Sequence, residues 1–423
     1  MQNATLWRAL LGIEQAVVED VEFDEEHELL IAHVRPRARR RGRCGRCGRR
    51  SPTYDRGEGR RRWRALDLGT IQVVLEADAP RVTCPAHGPT VAAVPWARHG
   101  AGHTRAFDEQ VAWLATQCSK SAITELMRIA WRTVGSIITR VWADVEAVHD
   151  RFAGLSRIGI DEISYKRGHR YLTVVVDHDT GRLVWASPGR NRATLETFFD
   201  DLEASGAGRC SEVSHVTADG ADWIEAVVKR RCPDAVRCAA PFHVVRWATD
   251  ALDEVRRQAW NEARRGAKRP RGGGATGHAK ALKHARYALW KNPENLTERQ
   301  QAKLAWIAKS DPTLHRAYLL KEGLRLVFQL PYDQAEEALD AWIAWARRSR
   351  IGAFVDLQRR IAPYRASILA AIAHGLSNGR IESVNTKIRL ITRIAFGFRS
   401  PQALIALAML NLGGHRPVLP GRN

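Results

Sequence analysis

Three acids and two cysteine-containing half-sites hold the chemistry open to this chain. Glu382 lies in Ser377-Asn378-Gly379-Arg380-Ile381-Glu382-Ser383-Val384-Asn385-Thr386-Lys387-Ile388-Arg389, which runs on to Ile394-Ala395-Phe396-Gly397-Phe398-Arg399. Ile381, Val384, Ile388 and Ile391 recur at three- and four-residue steps, the pattern of a helix with one buried face. Glu382 falls off that stripe, beside Asn385 and Arg389, among the cations Lys387, Arg389 and Arg393. A carboxylate placed in this way points to metal and phosphate chemistry, whereas a solvated helix with internal ion pairs is the plainer reading. Two further acids bear on the choice, Asp161 near the end of the segment 156–162 and Asp219 following the segment 213–217. Three converging carboxylates would hold hard, oxygen-seeking cations, and two such ions can clamp the attacking and leaving oxygens of a phosphoryl transfer.

The half-sites are Cys44-Gly45-Arg46-Cys47 and Cys84-Pro85-Ala86-His87. Zinc takes four tetrahedral ligands, and a two-residue gap lets one tight turn supply two of them. Cys44, Cys47, Cys84 and His87 therefore read as a structural zinc site, although 36 residues separate the halves. Strands within that spacer are expected to form the hairpin of the ribbon. Cys118, Cys210, Cys232 and Cys238 show no such pairing and read as core or near-surface thiols. Seven cysteines in all are an odd, sparse set, unlike a disulfide framework.

The elements that must position these residues follow from periodicity. Residues 15–34 read as a β-hairpin, nine arginines fall between Arg35 and Arg50, and a strand pair is expected around 63–82. Residues 104–148 read as helical: a helix over 105–117, a short one over 121–128, a turn at 130–132 and a helix from Thr133. This is a helix-turn-helix order, and it would turn Arg132, Thr133, Ser136 and Arg140 toward a DNA major groove. Segments 156–162, 171–177, 183–186, 213–217 and 235–239 read as strands, with helices at 192–205 and 221–230. Three strands, helix, strand, helix, strand is the RNase H-like order, in which Asp161 and Asp219 end neighbouring strands. Residues 244–376 read as mostly helical and hold six of the 14 tryptophans; the stretch 264–274, rich in Gly and charge, reads as a flexible basic loop.

These pieces, in this order, resemble the ISL-three family of insertion-sequence transposases, a DDE type. The resemblance rests on CxxC…CxxH, the helix-turn-helix, Gly159-Ile160-Asp161-Glu162, Asp219-Gly220-Ala221, Pro241-Phe242-His243-Val244-Val245, Asn292-Pro293-Glu294-Asn295-Leu296-Thr297 and the Glu382 block. It implies that Asp161, Asp219 and Glu382 are a catalytic triad binding two Mg²⁺ or Mn²⁺ ions. The family often has an acid before Pro-Phe-His, where this chain has Ala240.

The expected fold is thus α+β and multidomain. A zinc-ribbon-like module covers 1–100 and a helix-turn-helix 101–150. An RNase H-like core over 151–243 and 377–423 is interrupted by a helical insertion over 244–376. The expected function is binding of terminal inverted repeats, with metal-dependent strand cleavage and transfer. The alternatives are a catalytically disabled, transposase-derived DNA-binding regulator and a zinc-ribbon RNA-binding protein.

A net charge of +20 and a pI near 10.2 suit a polyanionic partner, here double-stranded DNA of element ends and target. No apolar run of 18 residues and no signal-peptide order occur, so a cytoplasmic, nucleoid-associated location and no membrane are expected. Two DNA ends must meet, so a homodimer or larger assembly is expected on DNA. Lys387, Arg389 and Arg393 could grip backbone near the cut or be ordinary solvated cations. Glu162 should point away from Asp161 toward a basic neighbour. Asp177 could lie near the site, Asp222 could cap a helix, and His243 could contact phosphate, assist the site or be structural.

Overall fold

The computed structural model describes residues 2–219, 221–267, 273–376 and 379–422. Gly220, Ser377, Asn378 and the middle of the basic stretch, 268–272, lie outside the described residues. The chain forms two compact units, one of Met1–His149 with Leu390–Asn423, the other of Asp150–Arg389.

The first unit opens with α1 (Gln2–Leu10), β1 (Ala16–Asp24) and β2 (Leu29–Pro36). Then come β3 (Thr53–Asp55), β4 (Arg60–Arg64), β5 (Gln72–Asp78), β6 (Arg81–Cys84) and β7 (Gly88–Val91). β1 and β2 form the expected hairpin, with Asp24 opposite Leu29. The expected strand pair around 63–82 is β4 with β5, antiparallel with Arg60 opposite Asp78. β4 and β5 join β1 and β2 in a four-stranded sheet of order β1-β2-β5-β4, while β6 pairs with β3 and β7. β2 and β5 carry apolar residues on successive positions and lie at the centre of their sheet, where Ala32, Val73 and Leu75 are inaccessible to solvent. Trp63 meets Trp96 edge to face at 5.6 Å in the same core.

Three helices follow, α2 (Arg105–Gln117), α3 (Lys120–Met127) and α4 (Trp131–Val148). Thr104 and Ser119 cap the first two, accepting hydrogen bonds from the amides of Phe107 and Ala122. α3 ends where Arg128 enters the left-handed region at φ 52°, and α4 begins at Trp131, two residues before the expected Thr133. Val134, Ile137 and Ile138 face Phe107, Val111 and Ile123 in the core of this bundle, all fully buried.

The second unit begins with β8 (Arg157–Lys166), β9 (Arg170–Asp177) and β10 (Leu183–Pro188). It continues through α5 (Arg192–Ala204), α6 (Arg209–Glu212), β11 (His215–Ala218), α7 (Asp222–Arg231) and β12 (Val236–Ala239). The five strands form one sheet of order β10-β9-β8-β11-β12. β8, β9 and β10 are antiparallel neighbours, and β11 and β12 run parallel to β8. Phe198, Phe199, Ile224 and Val227, all fully buried, cover one face together with Trp185 from β10.

Helices then dominate: α8 (Pro241–Ala267), α9 (Gly273–Lys283), α10 (Arg286–Trp290), α11 (Glu298–Ser310), α12 (Pro312–Val327), α13 (Tyr332–Arg348), α14 (Gly352–Ile361) and α15 (Arg365–Ala373). They share a core around Leu252, Leu314, Leu324, Leu339 and Phe354. Trp342 donates to the Leu320 carbonyl at 2.8 Å within it. Of the expected loop over 264–274, the described residues at either end are helical. α8 reaches Ala267, with Arg264 and Arg265 in its last turn, and α9 starts at Gly273.

The chain closes with α16 (Gly379–Ile394) and α17 (Pro401–Leu412). The expected single C-terminal piece over 377–423 divides within α16. α17 packs on α2 and α4, with Ala403 against Gly135, so it completes the helix-turn-helix bundle. Its Leu404, Ala406, Leu407, Ala408, Met409 and Leu410 are all buried.

Candidate active site and DNA-binding elements

β11 ends the parallel pairing with β8 at Ala218 opposite Ile160. Asp161 and Asp219 are therefore the next residues on neighbouring strands, which run about 4.8 Å apart. β8 does not stop at these acids as expected; it continues to Lys166 along β9, with Asp161 opposite Val174. Asp161 accepts hydrogen bonds from the Glu162 amide at 2.7 Å and from Asn385 Nδ2 at 2.7 Å. Burial pushes the Asp161 carboxyl above the ordinary range; the Glu162 amide and His243 oppose this, and the charge of Asp219 adds to it. His243 places Nδ1 3.6 Å from Asp219 Oδ1.

α16 reaches this corner through Asn385, one helical turn after Glu382. The buried stripe is as expected, with Ile381 and Ile388 fully buried, Val384 at 3% and Ile391 at 9% exposure. Ile381 rests on β8 at Gly159, where a Cβ would lie 2.2 Å from Ile381 Cδ1 and 2.9 Å from His178 Nε2. His178 in turn lies 2.6 Å from Thr217 Oγ1, and burial holds its imidazole down to about 4, so it is neutral at pH 7. Glycine at 159 thus lets the first turn of α16 approach the strand bearing Asp161. Gly159→Ala should lift that turn, lowering stability by about 1–3 kcal/mol through overpacking. Cleavage should fall roughly 10²-fold if the reacting groups shift by about 1 Å. Single-turnover cleavage and thermal melting measure the two effects, and cleavage at the wild-type rate would show that the close approach is unimportant.

Glu382 Oε1 and Asn385 Oδ1 are both buried and find no hydrogen-bond partner. An orphan acceptor on Asn385, whose Nδ2 holds Asp161, and another on Glu382 one helical turn earlier are the kind of exception that calls for an unseen donor or cation. Asp161, Asp219, Glu382 and Asn385 offer only oxygen, which suits Mg²⁺ or Mn²⁺. Among the described residues the three carboxylates are not drawn within 4.8 Å of one another; only Cys44, Cys47, Cys84 and His87 gather so closely.

Asp177 and Asp222 depart from their expected places, whereas Glu162 keeps its own. Asp177 is remote from Asp161, opposite Ile158. It accepts from the Asp179 amide at 2.9 Å and from Thr180 Oγ1, closing the β9–β10 turn. Asp222 does not cap α7; the cap position is Ala221, with no side-chain hydrogen bond. Glu162 pairs with Arg190, as its alternation from Asp161 implied. Ala240 is buried between β12 and α8 and supplies no carboxylate. Lys387, Arg389 and Arg393 are exposed on α16. Phe398 from the same block lies elsewhere, its ring 4.0 Å from the buried Lys120 ammonium at the start of α3; burial lowers that amine to about 8.

At the N-terminal half-sites the spacing expectation is met. Cys47 Sγ lies 3.7 Å from Cys84 Sγ, and His87 Nδ1 lies 3.7 Å from Cys44 Sγ and 3.5 Å from Cys84 Sγ. Ligand bonds of about 2.3 Å for sulfur and 2.1 Å for nitrogen place tetrahedral neighbours about 3.6–3.8 Å apart, so the set fits zinc. Contact with His87 draws the Cys84 thiol down to about 6, and the Arg46 amide donates to Cys44 Sγ at 3.4 Å. The ribbon's own hairpin is β6–β7, and the long spacer is the excursion of β4 and β5 into the other sheet.

On α4, Arg132 and Ser136 are exposed and Thr133 is half-buried. Arg140 departs from the expected outward face. Its Nε and Nη2 both donate at 2.9 Å to Asp108, which has no exposure and also meets Arg98 Nη1 at 3.3 Å. A buried carboxylate left unpaired is very costly, so Arg140 is committed to the fold. Thr139 is exposed on the outer side with Arg132 and Ser136; the helical period of Val134, Ile137, Ile138 and Val141 carried that signal.

The comparisons with known proteins meet this architecture. A zinc ribbon, a helix-turn-helix and a sheet carrying paired acids define a multidomain transposase. Residues 158–408 match a transposase domain, 92–142 the helix-turn-helix domain of transposase family ISL3, and 40–87 the zinc finger of the IS204/IS1001/IS1096/IS1165 transposases. The chain belongs to the ISL3 family of insertion-sequence transposases. It is 64% identical over 440 aligned positions to the transposase of insertion sequence IS1557 of Mycobacterium tuberculosis, covering all of this chain and 98% of the relative. It is 28% identical over 346 positions to the IS1001 transposase of Bordetella parapertussis, covering 81% of this chain and 82% of that protein. Among the described residues no helix is long and apolar enough to cross a membrane.

Proposed function

We propose that this transposase binds the terminal inverted repeats of its own element, cuts there, and joins the freed 3′ ends to target DNA. The observation that carries the reading is the corner where Asp161 and Asp219 end a parallel strand pairing and α16 lays Asn385 on Asp161 beside the unpartnered Glu382 oxygen. The order β10-β9-β8-β11-β12 supports an RNase H-like core, with α8–α15 as its helical insertion and the zinc ribbon and helix-turn-helix as end-reading modules. Asp161, Asp219 and Glu382 would hold two Mg²⁺ or Mn²⁺ ions, which supply charge neutralisation and activation of the attacking oxygen. Asn385 holds the Asp161 carboxylate by a hydrogen bond, and His243 lies 3.6 Å from Asp219. In the first step water breaks a phosphodiester bond and leaves a 3′-hydroxyl. In the second that hydroxyl attacks a target phosphodiester, one ester bond forming as another breaks. Arg132, Thr133 and Ser136 present the reading face of α4, and Lys387, Arg389 and Arg393 offer charge to the backbone. Joining two ends requires at least a homodimer on DNA, in the nucleoid of the cytoplasm. The test is incubation with a labelled element end and Mg²⁺ or Mn²⁺. Nicking at the end is the expected result; binding without nicking under every metal would favour a DNA-binding regulator instead.

A further inference from the structure

The geometry points to the β8–β9 hairpin as a clamp on the phosphate backbone of duplex DNA, projecting from the sheet beside the acids. β11 leaves β8 at Ile160, and β10 leaves β9 where Pro188 meets Leu172. Leu172 lies opposite Ile163, and Gly189 still donates to the Tyr171 carbonyl at 3.0 Å, so from Tyr165 to Arg170 two strands continue without a third. Lys166 lies five residues beyond Asp161, roughly 17 Å along a strand at about 3.3 Å per residue. A two-stranded ribbon has little stability of its own and adds nothing to the core. Lys166, Arg167, Gly168, His169 and Arg170 are all exposed.

The charge on this ribbon is unbalanced. No acid occurs between Ile163 and Tyr171. Other arginines of the same sheet are neutralised, Arg157 by Asp179, Arg182 by Asp177 and Arg190 by Glu162. Lys166, Arg167 and Arg170 take part in no ion pair among the described residues. Lys166 and Arg170 are direct cross-strand partners, and like charges so placed repel. An anion between them removes that cost. Double-helical DNA offers one phosphate charge per about 1.7 Å of axis.

The ribbon is also braced. Its turn holds Gly168 at φ 82° and His169 at φ 57°, a left-handed pair suited to a tight hairpin. Tyr171 at its base lies between the His169 ring, with centroids 6.5 Å apart, and the Arg190 guanidinium, 5.0 Å from its ring centre. Arg190 is the partner of Glu162, so the clamp is anchored one residue from Asp161. Its place beside the cut rests on the reading of the acids proposed above; its grip on phosphate does not.

The test uses the full chain with Lys166→Ala, Arg167→Ala and Arg170→Ala combined. Binding is measured to an element-end duplex and to a duplex without the repeat, between 50 and 200 mM salt. Each lost phosphate contact lowers the slope of log K against log salt by about 0.9, so a fall of about 2–3 is expected. A fall confined to the first duplex assigns the clamp to the element end; a fall confined to the second assigns it to target DNA. Lys166→Arg with Arg167→Lys and Arg170→Lys should retain the slope and the melting temperature. Lys309→Ala with Arg347→Ala and Arg348→Ala, an equal loss of exposed charge on α11 and α13, should leave it unchanged. Unchanged slopes for the ribbon variant on both duplexes, or equal falls with the control, would overturn the clamp. Neither result touches the acids, which Asp161→Asn tests by cleavage alone.

Discussion

Asp161→Asn is expected to abolish strand cleavage, by about 10³-fold or more, while binding to element ends stays at the wild-type level. The substitution keeps the side-chain shape and removes one charge from the oxygen set. Several kcal/mol of charge stabilisation depend on that charge, and about 4 kcal/mol corresponds to 10³ in rate. Asp161 lies in a different compact unit from α4, so the reading face is untouched. Stability should move the other way. The Asp161 carboxyl titrates above its ordinary value because it is buried and faces the charge of Asp219. A carboxyl raised in this way costs stability once pH exceeds its ordinary value, and the full cost is present above its folded value. At neutral pH the asparagine variant should therefore melt at the same temperature or higher. Single-turnover cleavage, filter binding and thermal melting separate the outcomes. Normal cleavage would remove Asp161 from the site, and a lowered melting temperature would make its role structural.

Cys44→Ser should release zinc and unfold the ribbon around β3, β6 and β7. Cys44 is fully buried and shares its cluster with Val82 and Cys84, so almost no apolar core exists there without the metal. Zinc binding in small modules supplies about 10–16 kcal/mol of apparent free energy at pH 7. Serine offers no thiolate, and the Arg46 amide loses its sulfur acceptor. Elemental analysis should fall from one zinc per chain to none, and limited proteolysis should open the segment 40–93. Treating the wild type with a chelator should reproduce both changes. An unchanged metal content would rule the site out.

Much of this was legible in the sequence where local rules decide. The helices at 105–117 and 192–205 were read within a residue of their observed ends, and the zinc spacing reports a tetrahedron directly. The stripe from Ile381 to Ile391 predicted the buried face of α16. What escaped depended on long-range partners. The spacing around Arg140 does not reveal that Asp108, 32 residues earlier, is sealed from water and needs a cation. Asp177 ends a strand as Asp161 seemed to, but β9 runs antiparallel and carries it to the opposite end. The 36-residue spacer hid a visit to a second sheet, which spacing alone does not record.

The placement of α17 has a consequence for how the protein is made. Domains generally fold as units during synthesis, N-terminal ones first. Here the three helices that read DNA emerge early, yet the apolar helix that covers α2 and α4 is reached only after residue 412 has been added. A nascent or truncated chain carries the reading helix with its packing surface bare. Firm DNA binding should therefore require the chain through α17, and a fragment ending before Pro401 should be a poor competitor for the intact transposase.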